Sequence, residues 1–138
     1  MQYEIQMIIK TAVVIGLAFA LSTEALAAAT EQNLGPEYST CLDKANGVTF
    51  DMIDCIVAET TRQDAKLNEN YKRLMSTLSP DRKKALLEAE RAWITFRDAN
   101  CQFYGDPQGG TSARLSANEC ILNATAQRAQ ELKLFMDK

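Results

Sequence analysis

The four cysteines of this chain limit its fold more than any other feature, because all of them follow an N-terminal segment with the character of a targeting signal. They are Cys41, Cys55, Cys101 and Cys120. An even number of cysteines in an exported chain predicts disulfides, and four cysteines allow three pairings. We expect the local pairing, Cys41–Cys55 and Cys101–Cys120, in which each bond closes a loop of roughly 15–20 residues and contributes about 3 kcal/mol. The chain has no histidine and no C-x-x-C pair, so we do not expect a zinc site.

The N-terminal segment predicts export. Residues 11–21 form an apolar run that is shorter than the roughly 18–20 residues a membrane-spanning helix needs. Ala25-Leu26-Ala27 has the small-x-small pattern of a signal-peptidase site. We therefore expect a protein that is periplasmic or secreted after cleavage and meets the membrane only through the signal peptide. Both Met1 and Met7 are candidate start residues.

The predicted boundaries follow from this signal. Residues 1–27 are the expected signal peptide, residues 28–36 a flexible leader, and residues 37–138 one domain. About 110 residues remain after cleavage, enough for a single hydrophobic core. No cysteine closely follows the cleavage site, so a lipoprotein anchor is not expected.

The charge distribution and the missing histidine argue against several classes of function. The formal net charge is −3, with eight acidic and three basic residues between 31 and 70 and eight acidic and eleven basic residues from 71 onward. Such a dipolar surface does not favour nucleic acid as a partner. Histidine, the usual general base, is absent, and the chain has no P-loop and no G-x-S-x-G motif. We therefore predict a non-enzymatic protein without a cofactor.

The hydrophobic pattern predicts an all-α fold: a small bundle of three long helices plus a short N-terminal helix. The short helix is expected at 37–44 and the second at about 49–78. The third begins at Ser79-Pro80, an N-cap followed by proline, and continues to about residue 104. The fourth is expected to begin at Ser116, where Ser116 and Glu119 have the spacing of a capping box. No segment alternates with period two, so no sheet is expected.

Two sets of residues are predicted inside this bundle. Apolar side chains at helical spacing, with the only tryptophan near the middle of the third helix, predict a core that includes Leu67, Tyr71, Trp93, Phe96 and Leu132. Four charged residues fall on or next to these inner faces: Asp64, Arg97, Asp98 and Arg128. A buried charge is tolerated when it is paired. We therefore predict that at least one Arg–carboxylate pair among these four crosses between helices, where it either fixes their register or forms a polar pocket for a partner's side chain.

Several motifs in a fixed order resemble those of a known family. They include Asp64-x-x-Leu67-Asn68-x-x-Tyr71, Arg91-Ala92-Trp93-Ile94-x-x-Arg97-Asp98-x-x-Cys101 and Thr125-x-x-Arg128. The chain resembles the LprI-type family (lysozyme inhibitor LprI-like, N-terminal domain) of small exported bacterial proteins. This resemblance implies a helical, disulfide-linked domain in the bacterial envelope. It also implies inhibition of lysozyme, because a member described as a lysozyme inhibitor gave the family its name.

Two surfaces are candidates for binding a protein partner, which could be a lysozyme. The first is a protruding loop at 105–114, with Gly109, Gly110, Thr111 and Arg114 as its candidate binding residues and Cys101–Cys120 at its base. The second is the acidic second helix, which carries Asp51, Asp54, Glu59, Asp64 and Glu69 and would face a basic enzyme. Each surface also has a plain explanation, as a connection between helices or as a solvated face. The alternative function is a non-enzymatic envelope interaction module with a different protein partner.

Overall fold

The computed structural model describes residues 34–137, which form four α-helices and no β-strand. We number the helices α1 (Pro36–Ala45), α2 (Thr49–Thr77), α3 (Pro80–Tyr104) and α4 (Gly110–Met136). The predicted all-α bundle of one short and three long helices is therefore confirmed. The predicted signal peptide at 1–27 lies outside the described residues, as does the leader except for residues 34–36.

The long helices run up, down and up. Phe50 near the start of α2 contacts Arg114 near the start of α4, and Asn70 farther along α2 donates a hydrogen bond to the carbonyl of Ala129 at 2.9 Å. From the first contact to the second, the residue numbers increase in both helices, so α2 and α4 are parallel. α3 runs antiparallel to both and packs mainly against α4. Within residues 34–137, no helix is long and apolar enough to span a membrane.

The turns between the helices follow the local sequence at two of three places. Asn46 and Gly47 have φ values of 47° and 79°, the left-handed conformation that asparagine and glycine adopt most readily, and they end α1. Ser79 is the N-cap of α3 and Pro80 its first residue, as the sequence predicts. The start of α4 differs: the helix begins at Gly110, and the predicted start at Ser116 is wrong.

Packing explains the earlier start of α4. Ala113 is buried and lies two turns before Cys120, on the face that α4 turns toward the bundle. A Cβ atom at position 109 would lie 2.5 Å from the Cβ of Ala113, so glycine is needed there for this close approach. Burial of Ala113 favours the earlier start in spite of the low helix propensity of Gly110.

The core lies between α2 and α4 and is closed by two side chains of α3. Leu67, Leu74, Ala129 and Leu132 are its buried centre. Five partly buried residues pack against this centre: Tyr71, Leu78, Leu86, Trp93 and Met136. Four of the five predicted core residues thus lie in or against this cluster. Phe96 does not, because it is 66% exposed, and its prediction as a core residue is wrong.

The inner face of α3 explains the error at Phe96. The residues of α3 that meet the other helices include Leu86, Glu90, Trp93, Arg97 and Cys101, which are spaced by three and four positions. Two of these five residues are charged. A prediction based on hydrophobicity alone therefore selects a neighbouring face of α3 as the inner one. Phe96 lies on that neighbouring face.

Candidate functional site

The chain directions bring four segments together at one end of the bundle. These are the start of α2, the last turn of α3, the connection at 105–109 and the start of α4. Both disulfides lie in this half of the bundle. They join Cys41 to Cys55 and Cys101 to Cys120, with Cα–Cα distances of 5.7 and 5.4 Å, and the predicted local pairing is confirmed. We call the surface formed by Val48, Phe50, Tyr104, the connection at 105–109 and Arg114 the loop end.

The loop end exposes three large apolar side chains. Val48, Phe50 and Tyr104 are 51%, 58% and 50% exposed. The guanidinium carbon of Arg114 lies 5.6 Å from the centroid of the Phe50 ring, a cation–π distance that links the starts of α2 and α4. Clustered exposed apolar side chains with charged neighbours are typical of surfaces that bind another macromolecule.

The connection at 105–109 is short and held by its own hydrogen bonds. The Asp106 carboxylate accepts the N–H of Gln108 at 2.8 Å, and the Asp106 carbonyl accepts the N–H of Gly109 at 3.0 Å. The N–H of Gly105 donates to the carbonyl of Gln102. The Cys101–Cys120 bond lies behind this turn and braces it, and we name residues 105–109 the protrusion.

The structure divides the predicted binding residues between two elements. Gly109 ends the connection, whereas Gly110, Thr111 and Arg114 belong to the first turns of α4. Gly110 adopts φ 63°, and Thr111 and Arg114 are exposed. The protrusion is thus five residues long, shorter than the predicted loop at 105–114, and the helix supports its C-terminal side.

Acidic residues predominate on the elements that end here. Asp43, Asp51, Asp54 and Asp106 are exposed, against the exposed bases Lys44 and Arg114. The predicted acidic surface of the second helix is only partly present, because Glu59 is fully buried.

Glu59 is a structural residue, although the sequence predicts it on an acidic surface that either binds a partner or is solvated. Its carboxylate accepts hydrogen bonds from the Gly35 N–H at 3.2 Å, Arg62 Nε at 2.7 Å and Gln63 Nε2 at 2.6 Å. Burial raises the pKa of Glu59, but these three hydrogen bonds and the charge of Arg62 outweigh burial and leave the pKa below its ordinary value. Glu59 therefore fixes the backbone just before α1 to α2.

The sequence contains a pattern that indicates the burial of Glu59. Cys55, Glu59, Gln63 and Leu67 are spaced by four residues, and all four are buried on one face of α2. Burial and the negative charges of Glu119 and Glu59 raise the pKa of the Tyr38 phenol. Electrostatic interaction therefore links Tyr38 of α1 to Glu59 of α2.

The ion pair between helices uses a residue that the sequence analysis did not select. Arg128 donates from Nε at 2.9 Å and also from Nη2 to Oε1 of Glu90, and from Nη1 to Glu131 at 2.8 Å. The Arg128 and Glu90 side chains are only 14% and 8% exposed. Burial lowers the pKa of Arg128, but the hydrogen bonds and charges of both glutamates outweigh it and raise the pKa above its ordinary value.

The predicted pairing among Asp64, Arg97, Asp98 and Arg128 is accordingly wrong. Arg97 pairs with its neighbour Asp98 at 2.7 Å within α3 and reaches α4 only through the Thr125 hydroxyl, at 3.4 Å. Asp64 is exposed and accepts a hydrogen bond from Asn68. Asp64 and Arg97 do line one open groove of about 420 Å³ with Thr125. A pocket for a partner's side chain remains a prediction there.

The two arginines have a shared role around the tryptophan. The guanidinium carbons of Arg97 and Arg128 lie 5.0 and 6.0 Å from the Trp93 ring centroid. The Trp93 ring is therefore held at the contact between α3 and α4 by two arginines, and each arginine is itself bonded to residues of these helices. This arrangement is structural in character. Within residues 34–137, no cluster of three or more His, Cys, Asp or Glu side chains could hold a metal ion.

A family model described as lysozyme inhibitor LprI matches residues 41–132, a span that includes both disulfides and the Arg128–Glu90 pair. The chain belongs to the LprI family. Membership in an inhibitor family, together with two disulfides, indicates an extracytoplasmic location and a protein partner.

Other comparisons add less about function. An uncharacterized protein of Rhizobium meliloti (strain 1021) is 28% identical over 102 residues, which cover 64% of this LprI-family chain and 73% of the relative. No solved structure matches the chain.

Proposed function

We propose that this protein is exported through a signal peptide at 1–27 and inhibits a lysozyme-type muramidase by covering its substrate cleft with the loop end. The LprI family match is the observation that carries the class of partner. The exposed apolar side chains around a braced protrusion support the choice of surface.

The shape of the loop end suits a cleft. Lysozyme-type enzymes bind a sugar chain in a groove that contains two catalytic carboxyl groups. An inhibitor needs only a narrow, rigid projection that fills this groove. The connection at 105–109 is such a projection, and because the Cys101–Cys120 bond already holds its ends, little conformational entropy is lost on binding.

The chemistry of the loop end also suits a cleft. Phe50 and Tyr104 are exposed aromatic side chains of the loop end, and aromatic side chains contribute much of the energy of protein interfaces. The Arg114 guanidinium is available to a catalytic carboxylate of the enzyme. The exposed carboxylates Asp51, Asp54 and Asp106 favour approach to a basic enzyme surface.

A peptidoglycan turbidity assay tests the proposal. Purified oxidised protein is added to a panel of lysozymes, and clearing of the peptidoglycan suspension is followed. We expect full inhibition to need about one inhibitor molecule per enzyme molecule and not to be reached with less. Changing Phe50 and Tyr104 together to serine should weaken inhibition at least ~10-fold, the effect of losing about 1.4 kcal/mol of binding energy.

Leu134 provides the matched control. It is 50% exposed, like Tyr104, but lies near the C-terminal end of α4, away from the loop end. Leu134→Ser should leave inhibition unchanged. If high excess of the native protein inhibits no lysozyme in the panel, the proposal fails and an envelope interaction module with another protein partner becomes the better account.

A further inference from the structure

One face of α3 is apolar and exposed along most of the helix. It carries Ala85, Ala89, Ala92, Phe96, Ala99 and Phe103, which are spaced alternately by four and three residues. All six are exposed, and Phe103 is the most exposed large apolar side chain of the described chain, at 84%. The spacing is that of a helix seam that packs against another helix. We call this face the α3 stripe.

The two halves of the α3 stripe differ in size. The N-terminal half has only alanines, and the C-terminal half has both phenylalanines. In an antiparallel pair of such helices, positions whose numbers sum to 188 face each other. Ala85 then faces Phe103, Ala92 faces Phe96, and Ala89 faces Ala99, so each phenylalanine meets an alanine.

A groove lies where the first of these contacts would form. Ala85 and Ala89 are two of its lining residues, and its volume is about 440 Å³. Its other walls are the apolar side chains Leu74, Leu78, Leu86 and Phe135 and the charged side chains Arg82 and Arg128. Phe103 lies 18 residues farther along the same helix, about 27 Å away at the helical rise of 1.5 Å per residue. A single chain cannot bring Phe103 into its own groove, but a second antiparallel copy can.

We propose that two copies of this protein associate through their α3 stripes in an antiparallel, two-fold symmetric dimer, with Phe103 of each copy in the groove of the other. Such an interface is self-complementary, as a two-fold dimer requires. The flanking positions bring Glu88 next to Gln102 and Thr95 next to Thr95 of the second copy, so no like charges meet along that edge.

The contact area is adequate for association of modest strength. With roughly 200 Å² for a whole phenylalanine side chain, the exposed parts of Phe96 and Phe103 offer about 300 Å² per copy, or about 600 Å² for the pair. The alanines and the groove walls extend this toward the roughly 1,000–1,200 Å² at which specific interfaces begin. Phe103 is not one of the residues assigned to the loop end, but its ring lies 6.3 Å from that of Tyr104, so the dimer is tested by association in the absence of lysozyme.

Sedimentation equilibrium of the purified, oxidised protein tests the dimer. The native protein should show a concentration-dependent change from one copy to two. Ala85→Glu and Phe103→Lys should each weaken association at least ~10-fold, because each change removes both groove contacts of the symmetric pair. Leu134→Asp, an exposed change outside the stripe, should leave the association constant unchanged.

Mixing the two variants gives the sharper result. In a mixed pair, one groove contact is the native phenylalanine against alanine, and the other places the introduced carboxylate beside the introduced ammonium group. The mixture should therefore associate more tightly than either variant alone. Circular dichroism melting at low concentration establishes that each variant is folded.

Three outcomes would overturn the proposal. The native protein could remain a single copy at every concentration, or folded single variants could associate as well as the native protein. The third outcome is a mixture that associates no better than its components. If the variants are monomeric like the native protein but bind lysozyme more weakly, the α3 stripe is a lysozyme-binding surface instead.

Discussion

Arg128 of α4 and Glu90 of α3 form a buried ion pair in which Nε and Nη2 of the arginine both donate to one glutamate oxygen. Glu131 completes the environment of the guanidinium by accepting from Nη1 at 2.8 Å. α3 also contributes Leu86 and Trp93 to the core. The Cys101–Cys120 bond and the hydrogen bond from Arg97 to Thr125 are further links between α3 and α4.

Loss of the Glu90 carboxylate should destabilise the fold strongly. Glu90→Ala leaves the Arg128 charge without its principal partner in a site with little access to water, so we expect the free energy of unfolding to fall by about 3–5 kcal/mol. Asp98→Ala is the matched control, because Asp98 is also paired with an arginine but its side chain is 56% exposed. It should cost about 0–1 kcal/mol. Urea denaturation measures both, and equal losses would contradict the assignment of Glu90–Arg128 as the buried pair.

The structure also separates Asp64 from Arg128. Asp64 is exposed and bonded to Asn68 on its own helix, so Asp64→Ala should change the free energy of unfolding by no more than about 0.5 kcal/mol. Arg128→Ala should resemble Glu90→Ala. In a double-mutant cycle, Arg128 should show a large coupling energy with Glu90 and almost none with Asp64. Strong coupling between Arg128 and Asp64 would contradict the Arg128–Glu90 pairing and support a pair among the four residues predicted from the sequence.

Acid stability should depend on Glu59. The pKa of Glu59 is lower in the folded protein than in the unfolded chain, so the unfolded chain binds the proton more readily as pH falls. The stabilisation from this carboxylate is complete above its ordinary pKa of about 4.3 and is lost as pH falls through the lower folded value.

The test is a set of denaturation curves between neutral and acidic pH. Glu59→Gln should cost about 1–3 kcal/mol near pH 7, because hydrogen bonds to a buried carboxylate are replaced by weaker ones. The difference from the native protein should then narrow below about pH 4. A difference that is constant across this range would show that the charge of Glu59 does not contribute.

The two disulfides should have similar effects on stability and different effects on binding. Their loops span 14 and 19 residues, so replacing either cysteine pair by serine should cost about 3 kcal/mol. Only the Cys101–Cys120 bond closes the protrusion of the loop end. Its removal should therefore reduce inhibition more than removal of Cys41–Cys55, at temperatures where both variants remain folded. Equal losses of inhibition would contradict the role of a braced protrusion.

The sequence predicts the helices and disulfides of this protein well, because local chemistry decides them. Ser79-Pro80 begins a helix and Asn46-Gly47 ends one for reasons contained in a few residues. The local disulfide pairing likewise follows from short connections between consecutive helices, which bring cysteines that are near in sequence close together.

The charged contacts were harder to predict, because they depend on which face of each helix is turned inward. Glu59 and Glu90 are both buried, yet by residue type each resembles a solvated acid. Phe96 gives the opposite case, an aromatic residue that stays outside because polar residues occupy the inner face of α3. The loop end also depends on tertiary structure, since Phe50 and Arg114 meet only when α2 and α4 lie side by side.

Binding in competition with a cleft-bound sugar tests the central claim most directly. Isothermal titration calorimetry would measure the affinity of the native protein for a lysozyme that it inhibits, with and without a saturating chitooligosaccharide in the enzyme's cleft. Cleft blocking by the loop end predicts that the oligosaccharide weakens binding at least ~10-fold and that the Phe50 and Tyr104 double variant loses affinity to a similar extent. An affinity that neither the oligosaccharide nor the double variant changes would contradict the account.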